Sequence, residues 1–177
     1  MNLRRRGDFA ILETGTMAVA SLVLTLLLVP DTWSEQRKLE SVQALAEAQK
    51  IAVGVLRFAE DTGRQPISNS AGEEFSYLQG PGELPAAPEW LQGKGESLSA
   101  FLLQNGSGFP NWKGPYPRDM EKLSHDPWGR AYLVNVRAFS SEDRERVWAM
   151  SAGPNGRIET SPSDHVCGGD DVGVVAR

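Results

Sequence analysis

One cysteine, Cys167, and two histidines, His125 and His165, are all that 177 residues offer toward thiol or soft-metal chemistry. A single cysteine excludes an internal disulfide, and as a metal ligand it would have only His165 near it in sequence. Common active-site signatures are missing too. There is no Gly-x-Ser-x-Gly, no His-Glu-x-x-His and no phosphate-cradling Gly-Lys-Ser/Thr. His125-Asp126 could be a base with its orienter, but adjacent residues seldom face one another, and Pro127 fixes a turn. Asp126 therefore reads as an acceptor for backbone N–H groups. Basic charge is also scarce. The net charge is −5, and since Arg4, Arg5 and Arg6 give the first seven residues +3, residues 8–177 carry −8. That balance argues against a nucleic-acid partner, which calls for a basic face. No residue set resembles a catalytic site, so the chain is expected not to be an enzyme.

What the sequence does have is one long apolar run, Phe9 to Pro30, with a single charge at Glu13. Sixteen uncharged residues follow, Thr14 to Val29. With the apolar residues before Glu13, this is about the length that spans a bilayer core as a helix. The three arginines precede it, so the residues after Pro30 are expected outside the cytoplasm. No small-residue cleavage site follows the run, so it reads as retained. Trp33 suits the outer membrane interface. A carboxylate inside such a helix is costly and calls for a partner.

From Ser34 to Asp61 there is no proline and one glycine, Gly54. Apolar or small residues recur at Val42, Leu45, Ala48, Ala52, Val55, Leu56 and Ala59, with Ile51 and Phe58 beside them. This spacing predicts an amphipathic helix with Ser34 as its N-cap, Gly63 as its stop and a polar face of Glu40, Gln43, Glu47, Lys50 and Arg57. If Pro30 kinks the helix without ending it, the two stretches form one helix. Residues 64–95, dense in glycine and proline, read as a variable surface excursion. A short helix is expected at Glu96–Gln104. Tyr132–Val136 and Arg146–Met150 read as strands of an antiparallel hairpin across the charged link Glu142–Arg146. Trp90, Trp112, Trp128 and Trp148 read as core or turn anchors. Asn155, Thr160, Asp164, Asp170 and Asp171 lie together near the C-terminus among glycines. They read either as a solvated acidic turn or as an oxygen-rich calcium loop.

Phe9, Glu13 and Pro30 stand at relative positions 1, 5 and 22, behind a basic leader. This spacing resembles the N-termini of the type IV pilin-like family. The later residues resemble the major pseudopilin family of type II secretion, general secretion pathway protein G. The matching blocks are Gly114-Pro115-Tyr116, Asp126-Pro127-Trp128-Gly129, Tyr132–Val136, Ser151–Gly156 and Asp170-Asp171. The likeness covers nearly all of the chain outside residues 64–100. It implies an α+β, pilin-like fold, a long N-terminal helix packed on a small antiparallel sheet. The divisions would be a leader at 1–8, a membrane and filament-core helix at 9–30, its amphipathic continuation at 31–62 and a globular domain at 63–177. That domain would include a variable loop at 64–100 and an acidic loop at 151–177.

The resemblance further implies a structural subunit of a secretion filament, held in the bacterial inner membrane by a single pass, with its C-terminal domain in the periplasm. Its partners would be copies of itself, minor pseudopilins, an inner-membrane assembly platform, a prepilin peptidase and membrane lipid. Glu13, with Phe9 and Pro30, would serve assembly by meeting the N-terminal amine of a neighbouring subunit. Processing would fall at Gly7, Asp8 and Phe9. Calcium would be held by Asp170 and Asp171 first and Asn155 second. Three positions depart from the pattern: Asp8 precedes Phe9 where the family has glycine, Asn155 replaces an aspartate, and Ser161–Gly169 lengthen the loop. A minor or divergent pilin-like protein of a pilus or DNA-uptake machine is the neighbouring alternative. A membrane-anchored periplasmic enzyme or binding module is the alternative from another class.

Overall fold

The structure, a computed structural model, describes residues 5–106, 108–117, 122–140 and 145–177, with side chains from Ser34 onward. The first helix, α1, covers Arg5–Thr62. The chain divides into two compact units, Met1–Glu40 and Ser41–Arg177. In the second, five short strands form one sheet: β1 Tyr77–Gln79, β2 Gly95–Ser97, β3 Leu133–Val134, β4 Trp148–Ser151 and β5 Val172–Val175. Their order is β2-β1-β3-β4-β5. The chain is thus α+β, with a helix packed on a five-stranded sheet.

Helix α1 is continuous through Pro30, so Ser34 lies inside it and is not an N-cap as expected from the sequence. Gly63, at φ +66°, follows its end. The helix buries Ala44, Ala48, Ile51, Ala52, Val55 and Phe58. Val42, Leu45 and Leu56, assigned to the same stripe from the sequence, are exposed. Apolar residues occupy two faces of this helix, and spacing alone merged them. Gly54 sits on the buried side, where a Cβ would come within 2.9 Å of the Tyr116 carbonyl oxygen. This absence of a side chain lets the turn Gly114–Pro117, with two cis peptides, cross the helix. The phenol of Tyr116 donates to Asp61 Oδ2 at 2.9 Å, and Lys113 Nζ meets Asp61 Oδ1 at 3.1 Å, pinning that turn to the helix end.

Residues 64–95 are no surface excursion. They supply β1 and the first residue of β2, and they bury Phe75, Leu78, Ala87 and Trp90. Three-residue strands are too short to show a period of two among glycines and prolines. The sheet is also mixed. β1 pairs with β2 in parallel, Tyr77 opposite Gly95, while β1–β3, β3–β4 and β4–β5 are antiparallel. The predicted helix at 96–104 is shorter: α2 covers Leu98–Leu102, and Ser97 Oγ caps it by accepting from Ser99 N. Leu98, Phe101 and Leu102 are buried together, as their spacing predicts.

The predicted hairpin of β3 and β4 forms, Leu133 opposite Met150, though most of its link lies outside the described residues. Its first strand stops two residues early. Asn135 leaves the ladder, its Nδ2 donating to Arg146 O and its Oδ1 accepting from Trp148 N, both at 2.7 Å. A 3-10 turn, Val136–Phe139, follows. Both sheet faces are covered. Leu78, Val134 and Ala149 join α1 and α2 in one core, while Leu133, Trp148 and Met150 join Ala87, Trp90 and Ile158 in the other. This alternation along β3 and β4 is the period of two that a strand imposes. The second face carries the acidic loop, because Trp90 Nε1 donates to Thr160 O at 2.8 Å.

Candidate functional site: the C-terminal acidic loop

The loop begins where β4 ends. Asp126 is fully buried, and its Oδ1 accepts from Trp128 N at 3.0 Å and Arg130 N at 2.8 Å. This is the turn-capping role expected of it. Its Oδ2 accepts from Ser151 Oγ at 2.6 Å, and Ser151 Oγ in turn accepts from Gly153 N at 3.2 Å. Arg130 Nη1 donates to Gly153 O at 3.3 Å. The two motif turns are therefore one bonded unit. Gly153, at φ +59°, lies against Asp170, whose carbonyl oxygen would be 2.1 Å from any Cβ there. Only glycine admits both the backbone angle and that approach.

Asp171 is 8 % exposed. Its Oδ2 accepts from Glu159 N at 2.8 Å, Thr160 N at 2.7 Å and Thr160 Oγ1 at 2.6 Å. Its Oδ1 is buried with no hydrogen-bond partner, and so is Asp170 Oδ1. Burial pushes the Asp171 carboxyl above its ordinary 3.8, while Thr160 and the backbone N–H groups pull it down and Glu159 pushes it up again. Two orphaned carboxylate oxygens in one loop are costly unless a proton or a cation compensates them.

Asp170 Oδ2 accepts from Asn155 N at 3.1 Å. Asn155, expected as a ligand, spends its side chain otherwise: Oδ1 accepts from Arg157 N at 2.7 Å, and Nδ2 donates to Glu159 Oε2 at 3.2 Å. Glu159 was not singled out from the sequence. Its only early sign was a carboxylate beside Thr160. Asp164, also grouped with this loop, accepts from Ser161 N at 2.8 Å and closes its own turn. Among the described residues, no three of His, Cys, Asp and Glu are placed to hold a metal together. A cation here would rest on Asp170 and Asp171 and on neighbouring carbonyl and hydroxyl oxygens, a donor set suited to calcium.

The other sequence candidates stand apart. His125 Nδ1 meets the Asp126 carbonyl oxygen and not its carboxylate, so the two side chains form no catalytic pair. His165 Nδ1 meets Arg146 Nη2. Burial raises the Cys167 thiol above its ordinary value, and its Sγ donates to Gly173 O at 3.7 Å. Gly7, Asp8, Phe9, Glu13 and Pro30 lie outside the residues whose side chains are described. Among the described residues, no helix is long and apolar enough to cross a membrane.

No family model matches the chain, and no curated protein or solved structure matches it.

Proposed function

We propose that the chain is a structural subunit of a type II secretion pseudopilus, pilin-like in fold and anchored in the bacterial inner membrane. Its N-terminal helix assembles with copies of itself into a periplasmic filament that drives protein export. The observation that carries this reading is α1. One helix covers Arg5–Thr62, holds Phe9, Glu13 and Pro30 at relative positions 1, 5 and 22, and buries its far end on a sheet. That architecture suits a subunit with an apolar half for the bilayer and filament core and an amphipathic half for its own domain. Glu13 would meet the free amine of a neighbouring subunit, because a buried carboxylate is tolerated only with such a partner. Minor pseudopilins, an assembly platform and a prepilin peptidase would be its partners.

The test is the N-terminus of the chain purified from membranes, read by mass spectrometry. A mature end at Asp8 or Phe9 is expected. Met1 retained on subunits within filaments would overturn the proposal, since the amine facing Glu13 would then sit on the wrong residue.

In this reading the acidic loop holds calcium. Asp170 and Asp171 would supply the carboxylates, with Thr160 and Glu159 beside them, and the ion would offset the two buried orphan oxygens. Calcium at a hundredfold excess over its dissociation constant should add about 2.7 kcal/mol to the unfolding free energy of the full chain. Asp171→Asn should abolish that gain. Calorimetry showing no calcium heat with the parent chain would remove the ion and leave the filament reading standing.

A further inference from the structure

We propose that Asn155 is a modification site: in the folded chain it loses its side-chain amide spontaneously and leaves a carboxylate at the rim of the acidic loop. The inference stands apart from the filament reading. Asparagine followed by glycine is open to this reaction because no Cβ shields the glycine nitrogen. Two such pairs occur, Asn105-Gly106 and Asn155-Gly156, and their surroundings differ. Gly106 N is engaged twice, to Gln104 O at 2.6 Å and to Ala100 O at 3.1 Å. The Asn105 carboxamide is clamped at both ends by Phe109, its Oδ1 accepting from Phe109 N and its Nδ2 donating to Phe109 O, each at 2.9 Å. Gly156 N, by contrast, makes a long bond to Gly153 O at 3.3 Å. Asn155 is exposed, and its Oδ1 accepts from Arg157 N at 2.7 Å.

The Arg157 contact closes an Asx turn, and the ring it closes contains both Asn155 Cγ and Gly156 N. The nucleophile and its target are thus held within one tight turn. The same Arg157 N–H faces the oxygen on which negative charge develops as Gly156 N adds to Cγ, in the manner of an oxyanion donor. The Arg130 guanidinium occupies the space that a side chain at Gly156 would fill, so a cation stands beside the nitrogen that must lose its proton. Gly156 N gives that proton to water and bonds to Cγ. The Cγ–Nδ2 bond breaks, and the nitrogen leaves as ammonia with a proton taken from water. Water then opens the cyclic imide, to aspartate by attack at Cγ or to isoaspartate by attack at the Asn155 backbone carbonyl. Either product adds one negative charge, and no oxidant or cofactor enters. Before the reaction Asn155 Nδ2 donates to Glu159 Oε2 at 3.2 Å, and Asn155 N donates to Asp170 Oδ2 at 3.1 Å. In the aspartate product an oxygen replaces the Nδ2 donor and faces Glu159, so a tie becomes a repulsion between like charges. The loop therefore grows more acidic and looser with age, irreversibly.

The experiment uses the full chain, purified from membranes and kept in mildly alkaline buffer with a chelator. Samples taken over weeks are digested, and the amide-to-acid mass change is read at the two sites, which fall in separate tryptic peptides. Position 155 should convert about tenfold faster than position 105, the rate factor that one hydrogen bond made or given up in the transition state carries. In urea, where the turn is gone, the two positions should convert at equal rates. Equal rates in the folded chain, or faster conversion at 105, overturn the proposal. The same ratio in urea also overturns it, because the cause would then be local sequence and not the fold. On anion exchange an acidic species should build up in step with conversion, elute with freshly made Asn155→Asp and be absent from Asn155→Gln. Its undiminished growth in Asn155→Gln would place the modification elsewhere and overturn the site. Asn155→Asp should melt about 1–2 °C below the parent in the chelator. An equal or higher melting temperature would overturn the loosening of the loop.

Discussion

Replacing Phe58 with alanine is expected to lower the unfolding free energy by about 3–5 kcal/mol, a large share of the roughly 5–15 kcal/mol that a domain of this size has. The ring is fully buried. It meets Phe101 edge-on at 5.4 Å, Phe109 at 5.2 Å and Tyr116 at 6.3 Å. These rings come from α2, from the segment after it and from the turn that crosses Gly54. Phe58 is thus the contact through which α1 holds three separate parts of the chain. Its removal leaves a cavity walled by rigid rings, which collapse poorly. Leu56, two residues earlier and on the exposed side, gives the contrast: Leu56→Ala should change stability by about 0.5 kcal/mol or less in the monomeric chain. Urea unfolding of both variants checks this. Near-equal midpoints would overturn this assignment of the buried and exposed faces of α1.

How legible these features were follows from how far each signal extends along the chain. The far half of α1 was readable because 28 residues, Ser34 to Asp61, repeat the helical period without a proline. The side of that helix that meets the sheet was not, since Leu56 and Val55 are equally apolar and only the sheet decides between them. β1 and β2 escaped because each is three residues long and each is paired across a distance that no local pattern encodes. The parallel pairing of Tyr77 with Gly95 depends on the chain between them looping back, which glycine and proline permit but do not specify. β5 was hidden for a related reason: Val172-Gly173-Val174-Val175 shows no apolar–polar alternation, since Gly173 has no side chain and Val175 is apolar although exposed. The acidic loop was legible as a group of oxygens and illegible as a geometry. Asp171 reads the same as Asp164 in sequence, yet the first is nearly sealed and the second closes a local turn. Asn155 and Glu159 exchanged importance because a side chain four residues away claimed the amide. Asp126 was the opposite case, since a proline directly after an aspartate already specifies the turn that the carboxylate caps.

That turn carries the second large effect. Asp126→Ala should cost about 3–4 kcal/mol, because hydrogen bonds to a charged group contribute about 1.5–3 kcal/mol and buried donors left behind add their own desolvation. Three donors lose their acceptor: Trp128 N, Arg130 N and Ser151 Oγ. Water cannot replace it readily, since the carboxylate is fully enclosed. Asp126→Asn should cost less. Its remaining carbonyl oxygen can keep both backbone donors, while its amide faces the serine hydroxyl that already accepts from Gly153 N. Ser151→Ala should fall lower still, about 1–2 kcal/mol, as a single bond inside the unit. The two residues touch, so their losses should not add, and a double-mutant cycle should return a coupling of about 1 kcal/mol or more. The consequence reaches the acidic loop. Ser151 holds Gly153, and Gly153 lies against Asp170, so loosening Asp126 should also reduce any calcium-dependent rise in melting temperature. Full additivity in the cycle would show that the two turns fold independently. It would also break the path from the Asp-Pro-Trp-Gly turn to the carboxylates.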